Sequence, residues 1–452
     1  MPSRRHGSVT KSADSERSDR FSAVARPGRS RAARFTRWGH RVSAREALLR
    51  ASNYYRTADF YRREDPALDQ ESVRLQTASR RTFADAAALL GTPARALEIP
   101  FAGTTLPAYL FTVDGSGVPR PTVIYHGGYD STLEGDYLAL AAGALRRGYN
   151  VLAFDDPGQG ATVRAGLHFR PDWEAVVTPV VDLAVTLPEV DTEKIALVDT
   201  GLGGYLAARA AAFEHRLAAC VLRDGVWDMY ETVAGVAAAA ADAGGIEALV
   251  ATSTSARWLV DNGRWTYGVA TFGDLLEATR AYTLDGVADR ITCPTLVIEA
   301  ENDQFFRGQP QRVHDALTCP KGLVVFPEDE GGGEHCHEGA TLRFHQVAFD
   351  WLDGVLGGRS PQRLEGEGLV IVEEPHRTLP GEQDGTVPSR STVTDGTVRS
   401  IEPFSTCRSG SSGAWLCGCR RRAGEPVTCA AVVRAVALQP SRSPDAEARW
   451  SG

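Results

Sequence analysis

The chain has 452 residues and a net charge of −8, with 43% hydrophobic and 23% charged residues. That is globular composition, with room for several average domains or one large α/β unit. The acidic balance argues against a protein working mainly on phosphate backbones, and no apolar run approaches the roughly 18 residues needed to cross a bilayer.

Residues 1–38 are Arg- and Ser-rich, without an apolar h-region or a recognisable period, and read as a disordered basic tail. A helical cap segment follows over 39–95. Ser43 stands as its N-cap with Glu46 as the capping-box partner, and the second helical run stops at Gly91-Thr92-Pro93.

From 96 to 357 the pattern alternates. Short apolar, β-rich runs fall at 108–113, 122–125, 151–154, 195–198, 219–222, 295–299 and 323–326, with helical segments at 134–147, 173–187, 204–213 and 341–356. Apolar strands separated by amphipathic helices predict an α/β fold, a mainly parallel sheet covered on both faces, whose first strands are antiparallel neighbours. Between about 227 and 290 the alternation breaks into Ala-rich helix and aromatic residues, a cap insertion over one end of the sheet. The stretch 358–452 is rich in Pro, Gly, Ser and charge and reads as a largely disordered tail; within it only 368–372 resembles a strand.

Eight cysteines in so large a chain do not form a disulfide framework, and a reducing, cytoplasmic setting is the expectation. The four in the tail, Cys407, Cys417, Cys419 and Cys429, have a spacing that matches no usual zinc finger or ribbon. His335, Cys336 and His337 form a weak metal signal, alternate residues in a loop. No Rossmann fingerprint or Walker lysine is present, so no cofactor is implied.

Three segments carry chemistry. At a strand end, Tyr125-His126-Gly127-Gly128-Tyr129 places glycines where main-chain N–H groups can face a cleft, as an oxyanion hole requires; a plain strand-to-loop turn has the same composition. The run Asp199-Thr200-Gly201-Leu202-Gly203-Gly204 is a strand, sharp turn and helix with the frame of a nucleophile elbow. Gly201 takes the nucleophile's place in it, and Asp199 the place of the first glycine. Finally, Asp303 follows a strand, and His335 lies some thirty residues on in a Gly-rich loop. An acid and then a histidine, both after the elbow, match the orienter and base of acyl-transfer chemistry in hydrolase order.

These motifs resemble the α/β-hydrolase branch of the 2,6-dihydroxypseudooxynicotine hydrolases, related to fungal polyketide-shortening hydrolases and fermentation-switch esterases. The resemblance runs from about Gly39 to Leu356 and is carried by Leu106-Pro107-Ala108-Tyr109, His126-Gly127-Gly128-Tyr129-Asp130, Asp156-Pro157-Gly158-Gln159-Gly160, Gly203-Gly204-Tyr205-Leu206, Glu301-Asn302-Asp303 and Glu334-His335-Cys336. It implies that His335 is the catalytic histidine and Asp303 its acid. It also implies an oxyanion hole from the Leu202 N–H with the Gly127–Gly128 loop. The family's serine is replaced by Gly201, which has no side chain to attack a carbonyl.

Thr200 sits on the wrong parity to replace that serine. Asp199 is on the right parity, either to hold a water or proton beside His335 or to bond nearby main-chain N–H groups. Three functions stay open on these residues. One is a hydrolase that uses a His-Asp pair and a water on an ester or C–C bond of an aryl or polyketide-like ketone. The others are a non-hydrolytic acid/base enzyme of retro-Claisen, aldol or cyclase type, and an inactive binding protein. Trp258, Trp265, Tyr267 and Phe272 either line an apolar substrate cleft or pack the cap on the core. The expected partner is a small-molecule substrate, with no nucleic acid and no membrane, and a homodimer is among the open oligomeric states.

Overall fold

The computed structural model describes residues 13–357 and 371–373. Three helices come first: α1 (Ala13–Arg37), α2 (Arg41–Phe60) and α3 (Gln70–Ala87). Helix α1 corrects the reading of 1–38 as disordered, because residues 13–37 form a helix packed along α2. Its buried face is Ser18, Ser22, Ala25, Gly28 and Ala32, spaced three or four apart. Small residues at helical spacing let two backbones come close, whereas a search for large apolar side chains passes over them. A Cβ at Gly28 would lie 2.8 Å from the Ala51 Cβ, so only glycine fits that crossing. Helix α2 begins after His40, and Ser43 lies inside its first turn rather than at its cap. The capped helix is α3, where Asp69 accepts the N–H groups of Glu71 and Ser72.

The sheet then assembles. Strands β1 (Ala94–Phe101), β2 (Thr104–Phe111) and β3 (Arg120–Tyr125) lead to helices α4 (Leu133–Asp136) and α5 (Ala142–Arg146), joined by one π turn. Strand β4 (Asn150–Phe154), helices α6 (Gly160–Arg164) and α7 (Glu174–Ala184), strand β5 (Val190–Thr200), helix α8 (Leu202–Ala211) and strand β6 (Ala219–Arg223) follow. The cap insertion is four helices: α9 (Met229–Asp242), α10 (Ile246–Thr252), α11 (Thr254–Thr266) and α12 (Phe272–Ala278). The chain returns through β7 (Thr295–Ala300), α13 (Gln309–Ala316), β8 (Lys321–Phe326), α14 (Thr341–Leu356) and β9 (Ile371–Glu373).

The strand order is β1-β2-β4-β3-β5-β6-β7-β8-β9, parallel from β4 through β8 and antiparallel at both edges. Strand β1 is additional to the runs read from sequence, and β9 overlaps the end of the short run at 368–372. Alternation along the strands sorts the core onto two faces. Ile124, Leu152, Leu197, Leu222 and Val297 pack with Val176, Val180 and Val181 of α7 and with Leu206 and Ala207 of α8. Val123, Val151, Ala196, Val198 and Ile298 face the other way, against Ala144 of α5 and Phe344, Phe349 and Leu352 of α14. No single helix among the described residues is long and apolar enough to cross a membrane. The remainder of 358–452, with its four cysteines, and residues 1–12 lie outside the described residues.

Candidate active site

The carboxyl ends of β3, β5, β7 and β8 bring the predicted residues to one place, as expected for a ligand crevice in a parallel sheet. Gly201 closes β5 with φ 61° and ψ −126° and serves as the N-cap of α8. That conformation is the strained turn of a nucleophile elbow, held by its N–H bond to the Arg223 carbonyl at 2.9 Å. Register pairs Thr200 with Arg223, so Asp224 follows directly beside the turn.

Asp303 and His335 meet there. His335 Nδ1 is 2.9 Å from Asp303 Oδ2. The other oxygen of Asp303 accepts the N–H groups of Phe305 at 2.7 Å and Phe306 at 3.1 Å. Burial works against the Asp303 charge, but these bonds outweigh it and hold its pKa below the usual carboxylate range. The Phe305 and Phe306 rings flank the imidazole at 4.9 and 5.4 Å. Its Nε2 points at the elbow, 3.8 Å from where a Cβ on Gly201 would stand.

The space above Gly201 is not an open hollow. The Cys336 sulfur lies 3.3 Å from that same Cβ position and 3.1 Å from His335 Nε2. Sequence reasoning named this thiol only as part of a weak metal signal, not at the elbow, and it missed a second carboxylate. Fully buried Asp224 accepts the Cys336 N–H at 2.9 Å and lies 3.6 Å from His335 Nδ1. Burial disfavours a charged His335, but a negative Cys336 sulfur, with Asp303 and Asp224, favours it and raises its pKa, so the imidazole holds a proton once the sulfur has given one up. Burial likewise pushes the Cys336 thiol up, to about 11, with Asp224 adding to the rise and His335 opposing it. Asp224, His335 and Cys336 each offer a ligand atom within 4.8 Å of the others, three donors suited to a thiophilic divalent ion. His337 is not one of these donors, but its Nδ1 lies 3.8 Å from the other Asp224 oxygen, and its buried ring rests against Phe326 at 4.6 Å.

Asp199 does not reach the elbow cavity. Its carboxylate is 2.6 Å from His126 Nε2, and Asp156 is 2.8 Å from His126 Nδ1, all three residues fully buried. The two carboxylates overcome the desolvation of the imidazole and lift its pKa to about 10. Asp199 therefore belongs to a buried ion cluster beneath the turn, where it also accepts the Thr200 N–H at 3.3 Å.

The loop glycines also depart from expectation. The Gly127 N–H is spent on Asp199 and the Gly128 N–H on the Ser131 hydroxyl at 2.9 Å, so neither is free to bind an oxyanion. What Gly128 does supply is closeness. A Cβ there would run into the Thr200 carbonyl and come within 3.1 Å of the Leu202 nitrogen, so the loop lies directly on the elbow. Leu202 is the first residue of α8, where main-chain N–H groups have no intrahelical acceptor.

The four cap aromatics are packing residues first. The Trp258 indole donates to the Phe60 carbonyl at 2.6 Å and stacks on the Phe60 ring at 4.3 Å. Trp265 lies under the guanidinium groups of Arg63 and Arg164. Tyr267 is buried between Phe169 and Tyr282, and Phe272 packs on the main core. Of the four, Trp258 also meets the site loop, edge-on to Tyr129 at 6.1 Å. Tyr129 ties that loop to the cap by donating to the Leu259 carbonyl at 2.7 Å.

Comparison with known proteins gives the family. The family described as FrsA-like esterase matches residues 32–234. Hydrolase LUC6 of Fusarium sp is 34% identical over 69% of this chain and 81% of its own length. The chain belongs with this fungal hydrolase to the α/β-hydrolase family. 20-Hydroxy-prefusarin hydrolase FUS2 of Gibberella moniliformis is 33% identical over 70% of the chain and 82% of its own length. The crystal structure of 2,6-dihydroxy-pseudo-oxynicotine hydrolase superposes with a TM-score of 0.64 at 25% identity, covering 79% of this chain and 92% of that one. The chain is thus a hydrolase by family, with glycine at the elbow.

Proposed function

We propose that the chain hydrolyses a carbonyl compound, an ester or the C–C bond of an aryl or polyketide-like ketone, using His335 and Asp303 rather than an elbow serine. The observation that carries this reading is the placement of His335 Nε2 over Gly201 while its Nδ1 is held by Asp303. Such an imidazole can accept a proton from an attacking group and return it to the leaving group. The Leu202 N–H, at the first residue of α8 and without an intrahelical acceptor, is the donor for the developing oxyanion. The substrate class draws on relatives named for 20-hydroxy-prefusarin and 2,6-dihydroxy-pseudo-oxynicotine. Phe305 and Phe306 beside the imidazole offer apolar surface for it.

The test is incubation with aryl esters and aryl β-diketones in heavy-oxygen water. Incorporation of label into a carboxylate product supports hydrolysis. An unlabelled rearranged or ring-closed product would instead show non-hydrolytic acid/base work of aldol, cyclase or retro-Claisen type. Recovery of every compound unchanged would contradict both.

A further inference from the structure

The deletion of a hydroxyl from the elbow coincides with a thiol in the same space. Cys336 Sγ is 3.1 Å from His335 Nε2 and 3.3 Å from the Cβ position at Gly201, inside the volume a serine side chain would need. The two features are complementary: a side chain at 201 would crowd the sulfur, and glycine leaves it room. We propose that Cys336 is the nucleophile of this enzyme, so that the triad is Cys336–His335–Asp303 and the attacking atom comes from the histidine loop instead of the elbow. The inference rests on the hydrolytic reading above and supplies its missing reactant.

The backbone supports this assignment independently. Cys336 (φ 54°, ψ 20°) and His337 (φ 53°) are consecutive left-handed residues, neither of them glycine. Such conformations persist only where surrounding bonds impose them, and they gather at working sites. Here the Cys336 N–H is held by Asp224 at 2.9 Å and the His337 N–H by the Glu334 carbonyl at 2.8 Å. The left-handed turn folds the Cys336 side chain back onto the Nε2 edge of its own neighbour, which an extended backbone would not do. A thiol kept only as core filling sits among apolar groups, as Cys220 and Cys293 do in the buried core; Cys336 sits against an imidazole.

The reaction balances with water alone. As the sulfur attacks the carbonyl carbon, its proton passes to His335 Nε2, an S–C bond forms, and the carbonyl π pair moves onto oxygen beside the Leu202 N–H. Collapse breaks the bond to the leaving alkoxide or carbanion, which takes the proton back from His335 and departs. Water then adds to the thioester with His335 accepting its proton, and the sulfur leaves as the thiol. The products are a carboxylic acid and an alcohol or ketone.

The probe is p-nitrophenyl acetate with acid quench, followed by digestion and peptide mass spectrometry. The wild-type chain should carry an acetyl group on Cys336, removable by neutral hydroxylamine. Cys336→Ala should lose at least ~100-fold of turnover with its urea midpoint unchanged. If Cys336→Ala keeps turnover within about threefold while His335→Gln abolishes it, the cysteine assignment is overturned and hydrolysis by His335 with a directly activated water stands. If His335→Gln also keeps its turnover, the hydrolytic reading itself falls. Alkylation decides without turnover: iodoacetamide should modify Cys336 at least about tenfold faster in the wild type than in His335→Gln. Equal rates overturn the proposal.

Discussion

Restoring the side chain that this elbow lacks is the most informative perturbation. Gly201 has φ 61°, so a serine there carries left-handed strain on the order of 1–3 kcal/mol. Its Cβ would stand 3.8 Å from His335 Nε2, which puts a serine hydroxyl within hydrogen-bonding reach of the imidazole. The same Cβ would be 3.3 Å from Cys336 Sγ, so the thiol must yield by a few tenths of an ångström before that hydroxyl can seat. Gly201→Ser alone should therefore lower the urea-unfolding free energy by about 1–3 kcal/mol and react poorly with a fluorophosphonate. Combining it with Cys336→Ala removes the crowding atom. The double variant should be labelled on Ser at 201 and should exceed Cys336→Ala in aryl-ester hydrolysis by at least ~100-fold. A folded double variant that neither labels nor hydrolyses would mean that the imidazole and the turn are not arranged as described.

Further outcomes follow from the neighbouring groups. Asp303→Asn should lower kcat/KM for an aryl ester by about 10²–10⁴, because Nδ1 loses the carboxylate that fixes its tautomer, while the urea midpoint moves little. Asp199→Ala should act on stability, lowering the unfolding free energy by about 3–5 kcal/mol through the broken buried pair with His126; a loss of turnover at unchanged stability would assign Asp199 to catalysis instead. His126 has its folded pKa raised from 6.5 to about 10, so its stabilisation is complete below pH 6.5 and lost as pH rises through 10. Asp156, raised from 3.8 to about 8 by burial, also binds its proton more tightly when folded, so its own fall runs from 3.8 to about 8 and overlaps only the start of the His126 fall. Urea midpoints should decline from neutral to alkaline pH, and His126→Gln should flatten that decline. Gly28→Leu should wedge α1 away from Ala51 and Ala47, at about 1–3 kcal/mol, and expose α1 to limited proteolysis at lower protease concentration.

The parts of the fold that sequence made legible are those governed by local period and by motif. β-rich apolar runs marked β2 through β8, and α14 coincides with the helical stretch read at 341–356 because its apolar stripe is long and regular. The elbow was legible because a strand running directly into Gly201-Leu202-Gly203-Gly204 has few other uses. Helix α1 was not, since its buried stripe is made of serine, alanine and glycine and lies in an otherwise basic segment. Strand β1 was hidden by outward-facing Arg95, Glu98 and Pro100 in an edge position.

Within the site, chain order identified Asp303 and His335, but hydrogen-bond allocation could not be read from residue type. The Gly127 and Gly128 N–H groups go to Asp199 and Ser131, and Asp199 itself goes to His126. The place of Cys336 at the elbow escaped for a related reason. Adjacent side chains ordinarily diverge, and only the left-handed turn at 336 brings this thiol back onto the histidine before it. Asp224 carried no signal beyond standing one residue past β6, yet its φ of 71° and its carboxylate hold that turn in place.

The central claim is that the imidazole at the elbow moves the proton of a hydrolytic reaction, and the most direct measurement is kcat/KM of His335→Gln against the wild-type chain on one aryl ester, with urea unfolding run in parallel. A fall of at least ~10³ at an unchanged midpoint is the predicted result. Turnover within a few-fold of wild type, in a variant equally well folded, would contradict it.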